Sequence, residues 1–193
     1  MKEKMLRRLW LFVGLCMSLA LVMGASIKVE AASDVINEPG LYQNKKLGVT
    51  LTWPAKVMSV NDKLEPGEVV RAKHAQNIPV ITMNILDKPK DATPLSEFEK
   101  VAKNFKNGLK ASQKKSKSKR FKLRESKLVT LANGHQAVYS MTTWKYGGSF
   151  GLVTVALTTY KGDKVINVSC TAAPGQPPVE VLDKWIMALV VEP

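Results

Sequence analysis

The residues best suited to binding chemistry lie in one strongly basic stretch, Lys110–Lys127. It holds nine Lys or Arg residues and one acid, a net charge of +8 within 18 residues. Cations at this density attract anionic lipid head groups, cell-wall polymers, nucleic acid or an acidic protein face. The alternative is a solvated segment that merely keeps the protein dispersed. We predict that an anion or partner is bound by Lys110, Lys114, Lys115, Lys117, Lys119, Arg120, Lys122 and Arg124.

Other reactive side chains are few. A metal site would need His74 and His135 to be brought together with carboxylates, so surface histidines are the simpler interpretation. Cys170 ends an apolar segment, where a free Cys serves as a small hydrophobe. The Gly147–Gly151 run lacks the Lys-Ser/Thr ending of a phosphate loop, which favours a hairpin turn.

No acid–base pair or nucleophile motif occurs in the chain. We therefore predict that the protein is not an enzyme and uses no cofactor and no metal ion. A small hydrolase, with residues assembled from distant strands, is the less favoured alternative. It would need a deep pocket in which His74 or His135 meets acidic side chains.

The N-terminus has the pattern of a secretory signal. Basic residues at positions 2, 4, 7 and 8 precede an uncharged, mostly apolar run of 17 residues, Leu9–Ala25. Val29-Glu30-Ala31 then provides a cleavage site before Ala32. We predict a signal peptide over residues 1–31 and export to the periplasm, the cell surface or the medium. An uncleaved N-terminal membrane anchor stays open, because 17 apolar residues approach the length of a membrane span.

The remainder has the length of one domain. We predict a flexible leader over residues 32–40 and a single domain over residues 41–193, long enough to bury a core without a disulfide. The chain is basic, with a formal net charge of +13 among its 193 residues. Nucleic acid is disfavoured as a partner because the protein is predicted to be exported. In addition, Phe121 is the one aromatic residue in the basic stretch that could stack on a base. We expect a monomer that binds an envelope protein or an anionic surface polymer or lipid.

The elements that must position these residues begin with a meander over Lys119–Thr171. Four runs of strand-forming residues are separated by Asn133-Gly134, Gly147-Gly148 and Gly162-Asp163, which suit two-residue hairpin turns. Three earlier segments also read as strands: a pair within Leu41–Trp53, and single strands at Glu68–Ala75 and Ile78–Leu86. We predict an antiparallel sheet that contains about six to seven of these strands.

Two helices complete the prediction. Thr93 caps the first and Pro94 takes its first position. Its apolar face consists of Leu95, Phe98, Ala102, Phe105 and Leu109. The second helix, Val179–Val190, follows Pro177-Pro178. Strands split by a helix and joined as hairpins predict an α+β fold, an antiparallel β-sheet with helices packed on its faces.

This order of elements resembles the PsbP-like fold family, which includes exported bacterial proteins of the PsbP and DcrB types. The matching segments are Leu47–Pro54, Thr93–Phe98, the strands flanking Asn133-Gly134, and Val165–Thr171 with the C-terminal helix. The resemblance implies a small, non-catalytic binding or accessory domain that associates with larger assemblies or envelope components. It carries no catalytic motif, so no functional residue is transferred.

Overall fold

The structure is a computed structural model that describes residues 34–55, 59–60, 64–74, 78–104, 107, 119–146 and 150–193. Its strands are β1 Val35–Glu38, β2 Leu41–Asn44, β3 Val49–Thr52, β4 Ser59–Val60, β5 Glu68–Lys73, β6 Val80–Asp87, β7 Lys119–Thr130, β8 Gln136–Tyr146, β9 Phe150–Lys161, β10 Lys164–Ala172 and β11 Val190–Val191. A 3-10 turn at Leu95–Glu97 leads into helix α1 (residues 98–104, with 107 also helical), and helix α2 spans Val179–Met187.

The predicted fold class is confirmed. The large sheet has seven strands in the order β4-β5-β6-β10-β9-β8-β7, and its strand pairs are antiparallel. The predicted four-strand meander forms β7 to β10, with each strand beside the next. A smaller sheet, ordered β1-β2-β3-β11, holds the strand pair predicted within Leu41–Trp53. The sequence did not predict that these strands would form a separate sheet.

The hairpin turns differ from one another. Gly162-Asp163 is the two-residue turn expected, and Gly162 has a φ of +58°, which favours glycine. Asn133-Gly134 instead lies within the five-residue loop 131–135, closed by a 2.8 Å hydrogen bond from the Leu131 amide to the His135 carbonyl. Leu131 is only 2% exposed, so its side chain is anchored in the core at the start of that loop. Gly147-Gly148 lies outside the described residues.

Three short strands correct the sequence predictions. The leader predicted over residues 32–40 contains β1, which pairs with β2 through a turn at Gly40. No strand was predicted between Trp53 and Glu68, yet β4 lies there and pairs with β5. The last helix ends at Met187 rather than Val190, and β11 pairs with β3. In each case the backbone gains partners that lie far away in sequence or across a turn, which local patterns do not reveal.

The helices lie on opposite faces of the large sheet. The Tyr139 hydroxyl of β8 donates to Asp183 of α2, whereas the Tyr160 hydroxyl of β9 donates to the Thr93 carbonyl, just before α1. Odd-numbered residues of β8 and β9 therefore point to the α2-side face and even-numbered residues to the α1-side face. This confirms the prediction that helices cover the sheet on its faces.

The apolar core lies on the α2-side face. Leu157, Ile166 and Val168 of the sheet are buried together with Leu182 and Ile186 of α2. The small sheet closes the same core through Tyr42, Val49, Leu51 and Val191. The core is thus built from both sheets and one helix.

Helix α1 buries its apolar face less completely than α2 does. Leu95, Phe98, Val101 and Ala102 lie on its predicted apolar face, and all four are half-buried; Phe105 and Leu109 lie outside the described residues. The predicted Thr93 cap is wrong, because Pro94 occupies the cap position and makes no side-chain cap bond. The Thr93 hydroxyl instead accepts a hydrogen bond from Asn104 at 3.3 Å. No helix in the described part of the chain is long and apolar enough to cross a bilayer.

Candidate functional site

The predicted binding residues are divided between described and undescribed parts of the chain. Lys110, Lys114, Lys115 and Lys117 lie outside the described residues. Lys119 and Arg120 form the start of β7, where the structure gives backbone positions. Lys122 and Arg124 follow on the same strand, and both side chains are exposed. The structure therefore describes the side chains of the last two residues only, and the binding role of all eight stays a prediction.

Strand pairing adds a third cation, Lys145, to Lys122 and Arg124. Lys122 lies opposite Thr143, and Thr143 is two residues from Lys145 on β8, so all three point to the same face. Arg124 reaches that face as well, because its Nε donates to the Thr143 hydroxyl at 2.9 Å. Odd residues of β8 define the α2-side face. We call Lys122, Arg124 and Lys145 the cationic face.

A β-bulge at Arg124 shapes this surface. The register between β7 and β8 shifts between Leu123 and Glu125, which leaves Arg124 without a partner residue on β8. Because strand side chains alternate, one extra residue keeps Arg124 and Glu125 on the same side of the sheet. Without it, Glu125 and Lys127 would point to the α1-side face. The bulge therefore places both of them beside Tyr139.

The positive charge of Lys127 is balanced by a neighbouring carboxylate. Its Nζ is 2.7 Å from a carboxylate oxygen of Glu125 and 5.0 Å from the centre of the Tyr139 ring. The hydrogen bond to the Glu125 carboxylate raises the pKa of Lys127, which stays a cation at neutral pH. Burial raises the pKa of Tyr139, and its bond to Asp183 adds to that effect. This cluster joins the edge of the sheet to α2 and contributes little net charge.

The cationic face itself carries uncompensated charge. In the described part of the chain, none of Lys122, Arg124 and Lys145 forms an ion pair. Exposed cations without counter-charges keep their attraction for anions, which weakens as salt screens it. The edge of the sheet thus presents positive charge on its α2-side face.

The other sequence candidates do not assemble into a reactive centre. His74 follows β5 and His135 precedes β8, and three strands separate those two in the sheet. At about 4.8 Å per strand, the two strands are roughly 20 Å apart across the sheet, and the histidines are further separated along the strands. No group of three potential metal ligands exists among the residues described. Cys170 is fully buried in the core, and burial raises the pKa of its thiol, so it acts as the predicted small hydrophobe.

Sequence reasoning missed Lys145. The residue lies outside the basic stretch and reaches it only through the pairing of β7 with β8. Counting outward from a two-residue Asn133-Gly134 turn would have placed Lys145 directly opposite Lys122, whose observed partner is Thr143. The hairpin pattern was therefore a usable signal, although the real register differs because the loop has five residues and β7 contains a bulge.

Comparison with known proteins identifies the fold. No protein-family model and no curated protein sequence matches the chain. Among solved structures, cyanobacterial PsbP (CyanoP) from Synechocystis aligns with a TM-score of 0.62 and 15% identity, covering 89% of this chain and 99% of that one. The Ran-binding protein Mog1p from Saccharomyces cerevisiae aligns with a TM-score of 0.50 and 8% identity, covering 75% and 90%. The chain therefore has a PsbP-like fold.

Proposed function

We propose that this chain is an exported, non-catalytic binding or accessory module of the cell envelope. The PsbP-like fold supports this proposal, since one protein of the same fold, Mog1p, is a Ran-binding protein. The N-terminal signal pattern supports export. A histidine does line one cavity of the described structure, His135, but no acidic side chain among the described residues lines it. That cavity therefore offers no support for the hydrolase alternative.

The observation that carries the proposal is the cationic face. Three exposed cations lie on one side of the sheet edge, two of them on β7 within the basic stretch and the third on the adjacent strand β8. This favours the more specific candidate function, binding of an anionic surface such as lipid head groups or a cell-wall polymer. Each cation near an anionic membrane surface contributes about 1 kcal/mol, so these three would supply about 3 kcal/mol and the rest of the basic stretch would add to it.

Vesicle binding tests the anionic-surface candidate. The variant Lys122→Gln/Arg124→Gln/Lys145→Gln should bind vesicles of phosphatidylglycerol and phosphatidylcholine roughly a hundredfold more weakly than the wild type. The control Lys45→Gln/Lys90→Gln/Lys103→Gln removes the same charge from exposed positions elsewhere and should change binding by less than about threefold. Equal losses in both variants would show that net charge, not this face, decides binding.

Two further experiments test the contribution of the rest of the basic stretch and the type of anionic surface that is bound. Replacing Lys114, Lys115, Lys117 and Lys119 with Gln tests the rest of the basic stretch, and unchanged binding would remove it from the site. Parallel titrations with poly(glycerol phosphate) compare a polymer with the lipid surface. In both arms raised salt should weaken binding steeply.

Export is tested separately with an alkaline phosphatase fusion, an enzyme active only after transfer out of the cytoplasm. Residues 1–40 fused to it should give activity in a bacterial host. A fusion carrying Leu15→Arg and Leu19→Arg should lose that activity, because the charges interrupt the apolar run. An inactive parent fusion would contradict export while leaving the binding data intact.

A further inference from the structure

A cavity of about 450 Å³ opens on the α1-side face, away from the cationic face. It lies where β9 ends and β8 begins, beneath the start of α1. Ala92, Pro94 and Leu95 supply its apolar lining, whereas Lys88, His135 and Tyr160 supply polar groups. Its volume falls within the range of roughly 300–1,000 Å³ that small-molecule sites occupy.

The lining is held in place by hydrogen bonds around Tyr160. The Tyr160 hydroxyl donates to the Thr93 carbonyl at 3.0 Å, which ties β9 to the start of α1. His135 Nε2 lies 3.0 Å from the Tyr160 carbonyl oxygen. Because a carbonyl only accepts, Nε2 carries a proton and donates. Three segments that are distant in sequence are thereby fixed around one ring, so a ligand would find the cavity already formed.

Lys88 gives the cavity its charge. Its Nζ is 5.2 Å from the centre of the Tyr160 ring, and it forms no ion pair with a described residue. The adjacent Asp87 is bound at 2.6 Å by Lys164 and is not available to Lys88. Among the described residues, no Asp or Glu lines the cavity. The site therefore presents one uncompensated positive charge beside an apolar wall.

We propose that this cavity binds a small ligand with a carboxylate head and a short apolar body. The carboxylate pairs with Lys88, and the body packs against Ala92, Pro94 and Leu95. A single cation matches the single negative charge of a carboxylate better than a phosphate monoester, which carries about two charges at neutral pH. The ligand site is independent of the proposed function, since it lies on the opposite face of the sheet.

Amide chemical shifts of the purified protein provide the test. Hexanoate should shift the resonances of Lys88, Leu95, His135 and Tyr160 saturably, with a Kd of about 1 mM, ordinary for eight non-hydrogen atoms. Pentylamine has the same five-carbon apolar body with the opposite charge and should not bind there. Acetate lacks the body and should bind at least about tenfold more weakly. Pentyl phosphate binding more tightly than hexanoate would contradict a carboxylate site.

Matched variants locate the interaction. Lys88→Gln should weaken hexanoate binding by about tenfold, the loss of one charge-assisted hydrogen bond. Lys90→Gln removes a neighbouring exposed lysine that does not line the cavity and should leave the Kd unchanged. Leu95→Ser should also weaken binding. An unchanged Kd in Lys88→Gln, or shifts confined to other residues, would overturn the proposal.

Discussion

The two faces of the large sheet are built on different chemistry. On the α2-side face, Leu157, Ile166 and Val168 pack against α2 in a dry apolar core. The α1-side face is the more polar of the two, since it buries apolar residues such as Leu152, Ala156 and Val165 together with a set of hydroxyl and amide side chains: Thr82, Asn84, Ser140, Thr142, Ser169 and Thr171. Hydrogen bonds therefore add to apolar burial on this face, so different substitutions should damage the two faces.

The polar face works because its groups are paired across strands. Thr82 and Ser169 hydroxyls are 2.8 Å apart, and Thr154 and Thr171 hydroxyls are 2.9 Å apart. A buried polar group costs little when it is bonded and about 1–3 kcal/mol when it is not. A sheet can therefore be covered on both sides when one side buries polar as well as apolar residues.

The largest effect should come from the buried ion pair on the polar face. The side chains of Arg71 and Glu68 are 6% and 1% exposed, and the closest atoms are 2.5 Å apart. Glu68→Ala should lower the free energy of unfolding by about 3–5 kcal/mol, because it leaves the Arg71 charge buried without its carboxylate. Urea unfolding measures the loss. Glu68→Leu combined with Arg71→Met should recover much of it; no recovery would mean that packing, not charge, holds this corner.

A matched pair of Leu→Ala substitutions compares the helices. Leu182 of α2 is 1% exposed, so Leu182→Ala should cost about 2–5 kcal/mol through lost burial and a cavity. Leu95, at the start of α1, is half-buried, and Leu95→Ala should cost about 1 kcal/mol. Chemical denaturation of both variants tests the difference. Similar losses would contradict the lighter attachment of α1.

A double-mutant cycle tests pairing on the polar face. Thr82→Val or Ser169→Ala alone leaves one buried hydroxyl without its partner and should cost about 1–3 kcal/mol. The double variant removes both hydroxyls and should cost less than the sum of the two single losses. Additive losses would show that the 2.8 Å contact contributes no coupling.

The smallest effect should be on the pH dependence of stability, through Asp183 of α2. Burial raises the pKa of Asp183, an effect partly opposed by the hydrogen bond from Tyr139. The folded state therefore holds this proton at pH values where the unfolded chain has lost it. Stability should then fall as pH rises from about 4 through the raised pKa. Asp183→Asn should flatten the pH profile of the melting temperature in that window; an unchanged slope would exclude Asp183 as its source.

Local sequence patterns were enough to predict the α+β fold class and the positions of most strands of the large sheet. Alternating apolar residues and Gly-containing turns are local signals, and they located β5 to β10 within a few residues. They also placed both helix starts, because Pro94 and Pro178 mark positions where a missing amide costs nothing. The basic stretch was visible as composition alone.

Tertiary structure decided how these pieces meet. The pairing of β7 with β8 set Lys145 beside Lys122, and a one-residue bulge turned Glu125 and Lys127 to the same face. Only the folded chain brought Lys88, Leu95 and Tyr160 around one cavity, and only long-range pairing made strands of β1 and β11. The hydrophobic periodicity of a segment shows which of its side chains can be buried. Which other segment packs against those side chains depends on the fold of the whole chain.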